Sequence, residues 1–206
     1  MINRRTVLTA GAMLTALAIS GCASMGESGW VTLIDGEKGM ENFNRIGNAN
    51  WRAEGGAIVA DKGKGGHLVT KQSYRNFQIR AEFWADTGTN SGIFFRASDR
   101  NKVGAATAYE ANIYDLRPGQ EYSTGAIVNF AKVPVPAPAS YKAGGKWNTM
   151  LITARDTHLT VELNGIQTVT IYDSKYAEGP FTLQFGNHGK IPGGAIKWRK
   201  VQVRPL

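Results

Sequence analysis

Four polar side chains share one strand phase in three short segments with alternating hydrophobicity: Arg96, Glu110, Asn112 and Gln184. Successive side chains of a strand point to opposite faces, and an unpaired charge in a dry core costs several kcal/mol. We therefore expect all four, with Asn90, on the outer face of one sheet. A cation, an anion and amides on a concave face suit the vicinal hydroxyls of a sugar.

Aromatic residues near these segments extend the same prediction. Phe94, Tyr114 and Trp147 are candidates to stack on a sugar ring, with Trp147 contributing to substrate binding. The alternative is that Arg96 and Glu110 form an ordinary cross-strand ion pair, a common surface feature worth under about 1 kcal/mol.

The segments that carry these residues are short and bounded by Gly, Asn, Asp and Pro, which predicts strands. Expected strands cover residues 31–34, 51–54, 57–60, 68–70, 77–85, 91–97, 109–115, 126–130, 149–155, 159–163, 166–172, 181–185 and 195–203. Gly55-Gly56 and Asn164-Gly165 are predicted two-residue hairpin turns, and residues 38–43 and 174–177 single helical turns. The phase slips between Trp198 and Val201, which indicates a bulge. This pattern predicts an all-β, two-sheet antiparallel jelly-roll sandwich.

The composition excludes several classes of protein. The 206 residues are 42% hydrophobic, 10% aromatic and 19% charged, which excludes wholesale disorder. One cysteine excludes an internal disulfide and a cysteine-based zinc site, and three widely spaced histidines argue against a histidine metal site. The net charge of +8 comes without a nucleic-acid-binding motif, so no nucleic-acid partner is expected.

The amino terminus is typical of an exported lipoprotein. Residues 1–21 combine Arg4 and Arg5 with an apolar stretch, 7–19, too short to span a bilayer. They precede Cys22, the expected lipidation site, followed by a short tether, 22–29, and one domain, 30–206. A lipid anchor in the periplasm or outer membrane would be the only membrane contact. General or twin-arginine export, and a cleaved signal with a plain thiol, remain open.

A set of motifs in fixed order carries a family resemblance: NSGIFFR (90–96), YEANIYD (109–115), STGAIV (123–128), KWNTMLI (146–152), VELNG (161–165) and FTLQF with AIKWRKVQVRPL (181–206). Together they resemble the 3-keto-disaccharide hydrolase domain family. The resemblance implies a concanavalin A-like, laminin-G-like jelly roll and cleavage of glycosides already oxidised to a ketone at C3. Many bacterial members are exported lipoproteins.

The resemblance also implies roles for particular residues. The family's acidic-strand motif falls on Tyr109, Glu110 and Asp115, and its arginine on Arg96. Two positions depart from the family pattern: Asn112 stands where Gln is usual, and three residues, not one, separate Gln184 from His188.

A C3 ketone acidifies the C2 hydrogen, so cleavage by elimination needs a base and an enolate stabiliser. Glu110 is the first candidate base and His188 the second. Arg96 is the predicted enolate stabiliser. The residues expected to bind the sugar are Asn90, Asn112, Asp115, Trp147 and Gln184.

Two other functions fit the same sequence. One is a non-catalytic carbohydrate-binding module of an envelope lipoprotein, and the other a structural lipoprotein that presents a basic face to an anionic polymer. No cofactor is required, although a divalent cation such as Ca²⁺ has candidate ligands in 86–90 and at Glu110 or Asp115. The expected partner is a small carbohydrate, and the oligomeric state is not predicted.

Overall fold

Two antiparallel β-sheets pack face to face in the computed structural model, which describes residues 29–186 and 194–206. The strands are β1 (Val31–Asp35), β2 (Phe43–Gly47), β3 (Arg52–Glu54), β4 (Ala57–Ala60), β5 (Gly66–Thr70), β6 (Phe77–Ala85), β7 (Asn90–Phe95), β8 (Tyr109–Ile113), β9 (Trp147–Arg155), β10 (His158–Leu163), β11 (Ile166–Tyr172), β12 (Thr182–Gly186) and β13 (Ile196–Pro205). Short 3-10 turns cover Met40–Asn42, Gln120–Tyr122 and Ala139–Tyr141. The predicted all-β sandwich is confirmed.

The two sheets differ in size. One has eight strands in the order β11-β10-β9-β6-β13-β4-β3, with β1 also pairing β13. The other has five, in the order β2-β5-β12-β7-β8. Alternate residues of each sheet enter one core, as in the fully buried side chains of Phe83, Phe95, Leu183 and Trp198. Each sheet therefore keeps one outer face for polar side chains.

Local predictions about turns and the bulge are confirmed. Asn164 and Gly165 have φ of 52° and 79°, and the pair Gly55-Gly56 also has positive φ, as two-residue hairpins with type I′ geometry require. The pairing of β13 with β6 shifts between Trp198 and Lys200. The extra residue, Arg199, faces outward and stacks on Trp147, with its guanidinium carbon 4.3 Å from the ring centroid.

Three segments differ from the sequence prediction. Residues 174–177, predicted as a helical turn, contain none. Residues 43–47 form β2, where only a helical turn ending at 43 was predicted, because their backbone pairs with β5 at the sheet edge. Residues 126–130 were predicted as a strand but make only isolated bridges, from Ile127 to Ala111 and Ala131. This segment folds back on itself beside β8, and the tight return prevents a continuous ladder.

Among residues 29–186 and 194–206, no helix has the length and hydrophobicity to cross a membrane. The predicted signal segment, Cys22 and His188 lie outside the described residues. Export and lipidation therefore stay predictions.

Candidate functional site

The outer face of the five-stranded sheet collects polar side chains in two adjacent rows. Strand register places Gln184 opposite Gly92 and His67, and Gly92 in turn opposite Asn112. In the neighbouring row Thr182 lies opposite Phe94, and Phe94 opposite Glu110. The predicted grouping of Glu110, Asn112 and Gln184 on one face agrees with this register.

Gly92 has no side chain, which leaves a gap between the side chains of the two rows that we call the groove. A Cβ at this position would lie 3.3 Å from both Cγ and Oε1 of Glu110 and 3.0 Å from the Ala111 carbonyl oxygen. The Glu110 side chain therefore leans over Gly92, toward the row that contains Asn112 and Gln184. The groove has backbone as its floor and a carboxyl group at its side.

The Glu110 carboxyl group is the most perturbed acid on this face. Glu110 is only 6% exposed, and its carboxyl group makes no hydrogen bond or ion pair with another described residue. Burial raises its pKa from 4.5 to about 7, and the charge of Arg117 opposes that rise. A carboxyl group with this pKa exchanges a proton readily near neutral pH, as a general base must.

The same perturbation has a consequence for stability. Because the folded protein holds the Glu110 proton up to about pH 7 while the unfolded chain releases it near 4.5, stability falls as pH rises between those values. Between pH 4 and pH 8 the free energy of unfolding of the wild type should fall by about 3 kcal/mol through this group. Glu110→Gln should not show that loss, because its amide does not titrate.

Urea denaturation of both proteins at several pH values measures this difference. Glu162→Gln, on the outer face of the other sheet, is the matched control. A stability difference between Glu110→Gln and wild type that is independent of pH would contradict a buried, proton-binding Glu110.

Two amide side chains on the face have unsatisfied oxygens. Asn112 Oδ1 and Gln184 Oε1 are buried without a hydrogen-bond partner among the described residues, while Asn112 Nδ2 donates to the Tyr122 carbonyl at 2.6 Å. Asn90 is 7% exposed, and its Nδ2 lies 3.0 Å from where a Cβ of Gly186 would be. Buried polar atoms are normally paired, so these acceptors are suited to the hydroxyls of a ligand.

His67 lies on the same face and was missed by the sequence analysis. Its Nδ1 is 2.9 Å from Thr182 Oγ1, and its ring packs edge-on against Phe94 with centroids 5.1 Å apart. Burial lowers its pKa to about 4, so the imidazole is neutral at pH 7. The strand phase of 66–70 carried the signal, because Leu68 belongs to the core and His67 must therefore face outward.

Arg96 does not join Glu110, and the prediction that the two converge is wrong. Strand β7 ends at Phe95, and Arg96 has φ of 53°, which breaks the alternation that placed it on the outer face. Its guanidinium donates to the backbone carbonyls of Arg75, Asp156 and Tyr176 at 2.6 to 3.3 Å. With 1% exposure, Arg96 joins three loops at one end of the sandwich.

The cation that acts on Glu110 is Arg117 instead. The positive charge of Arg117 lowers the pKa of the Glu110 carboxyl group, whereas burial raises it. Arg117 lies in the turn that follows β8. Strand phase could not have identified it, because Arg117 is not in a strand. The sequence LRPG after the acidic strand marks a turn, which is a weak signal at best.

Two predicted substrate-binding residues are also placed elsewhere. Both Asp115 carboxylate oxygens accept hydrogen bonds within the protein, from Thr124 Oγ1 at 2.6 Å and from the amides of Ala143 and Gly144. Asp115 thus holds the loop before β9. Trp147 is 38% exposed but lies on the outer face of the eight-stranded sheet, beside Trp84. Trp147 was proposed as a flanking aromatic residue, and the pairing of β9 with β6 shows which sheet carries it.

Predicted ring stacking by Phe94 is limited by its neighbours. Phe94 is 2% exposed and packs with Ala97, Ala108 and Val103 of the connection between β7 and β8. That connection therefore covers one side of the groove.

The predicted calcium ligands in 86–90 form a tight turn. Asp86 Oδ1 accepts from the amide of Thr87 at 2.7 Å, and the Thr89 amide donates to the Asp86 carbonyl. Residues 29–186 and 194–206 contain no group of three His, Cys, Asp or Glu side chains that could hold a metal ion.

Comparison with known proteins decides the family. Residues 29–204 match the model of the 3-keto-alpha-glucoside-1,2-lyase-like domain. The chain belongs to this family. A relative from Bacteroides thetaiotaomicron, a 3-keto-disaccharide hydrolase, is 26% identical over 148 residues. The match includes 58% of this chain and 50% of the relative, so the lyase-like chain spans half the length of that protein.

Solved structures share the fold of this lyase-like domain. A protein from Parabacteroides distasonis, provisionally described as a glycosyl hydrolase, aligns with a TM-score of 0.72 at 17% identity, over 86% of this chain and 94% of its own. The carbohydrate-binding module CBM66 from Bacillus subtilis aligns with a TM-score of 0.58 at 14% identity, over 85% and 95%. At these identities the likeness describes the fold alone, and both catalytic and binding proteins have it.

Proposed function

We propose that this protein cleaves 3-keto-glycosides, 3-keto-disaccharides among them, by proton abstraction at C2, elimination and hydration. The observation that carries the proposal is Glu110: a buried carboxyl group with a pKa of about 7, beside unpaired amide oxygens, in a member of this family. Ordinary glycosidases use two carboxylates that flank the glycosidic bond, and Glu110 is the only Asp or Glu in the two described rows of the groove.

The first step is removal of the C2 proton. Glu110 takes the proton, and the electron pair left on C2 delocalises into the C3 carbonyl as an enolate. Near pH 7 about half of the molecules have an ionised Glu110 that can accept a proton. Its raised pKa also makes that carboxylate a stronger base than an ordinary one. A positioned base of this kind contributes about 10²–10⁴-fold.

The second step uses the enolate to expel the leaving group. The C3 carbonyl re-forms, a C1–C2 double bond appears, and the C1–O bond breaks with its electron pair on the leaving oxygen, which takes up a proton. Water then adds across the double bond, with its hydroxyl on C1 and a proton on C2. The net reaction is hydrolysis and requires no redox cofactor.

Arg117 takes the role first assigned to Arg96 in this mechanism. A cation that acts on the ionised base also acts on the enolate formed beside it. Asn90, Asn112 and Gln184 orient the sugar, the latter two through side-chain oxygens that lack partners among the described residues. His188, outside the described residues, stays the second candidate base.

Incubation with 3-keto-trehalose, followed by assay of released glucose, tests the proposal. We expect release from 3-keto-trehalose and none from trehalose, whose C2 hydrogen is not acidic. In D₂O the 3-keto-glucose product should carry deuterium at C2, because the hydration step delivers a solvent proton there. Release without C2 deuterium would contradict elimination in favour of direct hydrolysis.

A carbohydrate-binding module is the second candidate, favoured by the same unpaired amides. It predicts saturable binding of 3-keto-trehalose with no glucose released at any enzyme concentration. Retention of the C2 proton in D₂O would accompany that result.

A further inference from the structure

The groove on the five-stranded sheet is longer than one sugar ring. Its polar row runs from Asn112 on β8 across Gly92 and Gln184 to His67 on β5. Three inter-strand spacings of about 4.8 Å give a row of about 14 Å. Glu110 leans over Gly92 near the β8 end, so in the proposed mechanism the proton is abstracted at that end and the other positions of the row face another part of the substrate.

The β8 end of the row is closed by the protein. Asn112 donates its side-chain amide to the Tyr122 carbonyl, and its backbone pairs with Gly125 and Ala126. The Val128 amide donates to the Glu110 carbonyl. Residues 122–128 therefore border β8 on the side away from β7, and a substrate with its C2 atom at Glu110 extends in the opposite direction, toward β12 and β5.

A cavity of about 310 Å³ lies at the open end. His67 and Gln184 line it from the sheet, Lys64 from the turn before β5, and Lys102 and Val103 from the connection between β7 and β8. None of the described residues that line it is acidic. The cavity thus presents the amides of Asn101 and Gln184, a neutral imidazole and two ammonium groups, a set rich in hydrogen-bond donors.

We propose that this cavity is the subsite for the leaving group, that the leaving group is a second sugar, and that His67 and Lys102 bind its hydroxyls. This inference rests on the proposed function, since it assumes that the oxidised ring lies at Glu110. Gln184, between the two ends, contacts both rings. Such a subsite would make the enzyme prefer the 3-keto-disaccharides of the proposed function to a 3-keto-glucoside of a small alcohol.

The surroundings of His67 suit a binding role. Thr182 Oγ1 at 2.9 Å from Nδ1 and the edge-on contact with Phe94 hold the ring in one orientation. Nε2 makes no hydrogen bond to another described residue. Since the imidazole stays neutral at pH 7, it can pair with a hydroxyl without the cost of burying a charge.

Kinetics with two leaving groups test the subsite. The substrates are 3-keto-trehalose, which releases glucose, and methyl 3-keto-α-glucoside, which releases methanol. We expect His67→Ala to lower kcat/KM for 3-keto-trehalose about 3- to 10-fold, the range for one lost neutral hydrogen bond, and to change the methyl glycoside less than about 2-fold. Lys102→Ala, on an exposed loop, should show the same selectivity without affecting folding.

His158→Ala is the matched control, because His158 lies on the outer face of the other sheet against Tyr172. Equal losses with both substrates, or no loss with 3-keto-trehalose, would overturn the subsite. Binding of 3-keto-trehalose to the wild type and to each variant separates this result from the proposed function. If the wild type cleaves neither substrate, weaker binding in His67→Ala and Lys102→Ala still supports the subsite, and unchanged binding refutes it.

Discussion

Glu110→Gln is expected to lower kcat for 3-keto-trehalose by about 10²–10⁴-fold, the usual contribution of a positioned base. The amide keeps the size and the hydrogen-bonding capacity of the carboxyl group but takes no proton at pH 7. Binding should survive, since Asn112 and Gln184 are untouched. Steady-state kinetics and isothermal titration of 3-keto-trehalose on the same preparation separate the two effects.

The pH dependence of the wild type gives a second measure of the same group. Activity requires ionised Glu110, so kcat/KM should rise with pH and reach half its maximum near pH 7, where burial has placed the pKa. Glu162→Gln, on the eight-stranded sheet, is the control for a surface carboxyl group. Full turnover by Glu110→Gln would remove Glu110 as the base and leave His188 as the candidate.

We expect Arg96→Met to lower the free energy of unfolding by about 3–5 kcal/mol, because it removes all the donors of a buried hydrogen-bond network. The variant leaves the carbonyls of Arg75, Asp156 and Tyr176 without their donor, and each buried unsatisfied group costs about 1–3 kcal/mol. Chemical denaturation measures the loss. Below the unfolding transition, kcat of the folded fraction should stay close to that of wild type.

Arg117→Met provides the contrast with Arg96→Met. Its side chain is half-buried, so stability should change little, whereas kcat should fall by about 10²–10³-fold if its charge stabilises the enolate. Loss of the cation also removes the effect that lowers the pKa of Glu110, so half-maximal kcat/KM should move to higher pH. The opposite result, with Arg96 affecting turnover and Arg117 affecting only stability, would restore the original assignment.

The amino-acid sequence was sufficient for the sandwich and for one side of the site. Period-two hydrophobicity places Ala111 and Ile113 in the core, and Glu110 and Asn112 must then face outward. The same logic holds for Gln184 between Leu183 and Phe185. The bulge at Arg199 was also visible, because an extra residue shifts the phase of every side chain after it.

Only the tertiary structure decided which residues share the groove. Phase gives each side chain a face but not a sheet, and only the pairing of β9 with β6 and of β8 with β7 places Trp147 and Glu110 on different sheets. Phase also ends where the strand ends, and the positive φ of Arg96 turned its side chain into the loops. Register alone put His67 in line with Gln184 and Gly92, because contacts between strands distant in sequence depend on the assembled sheet.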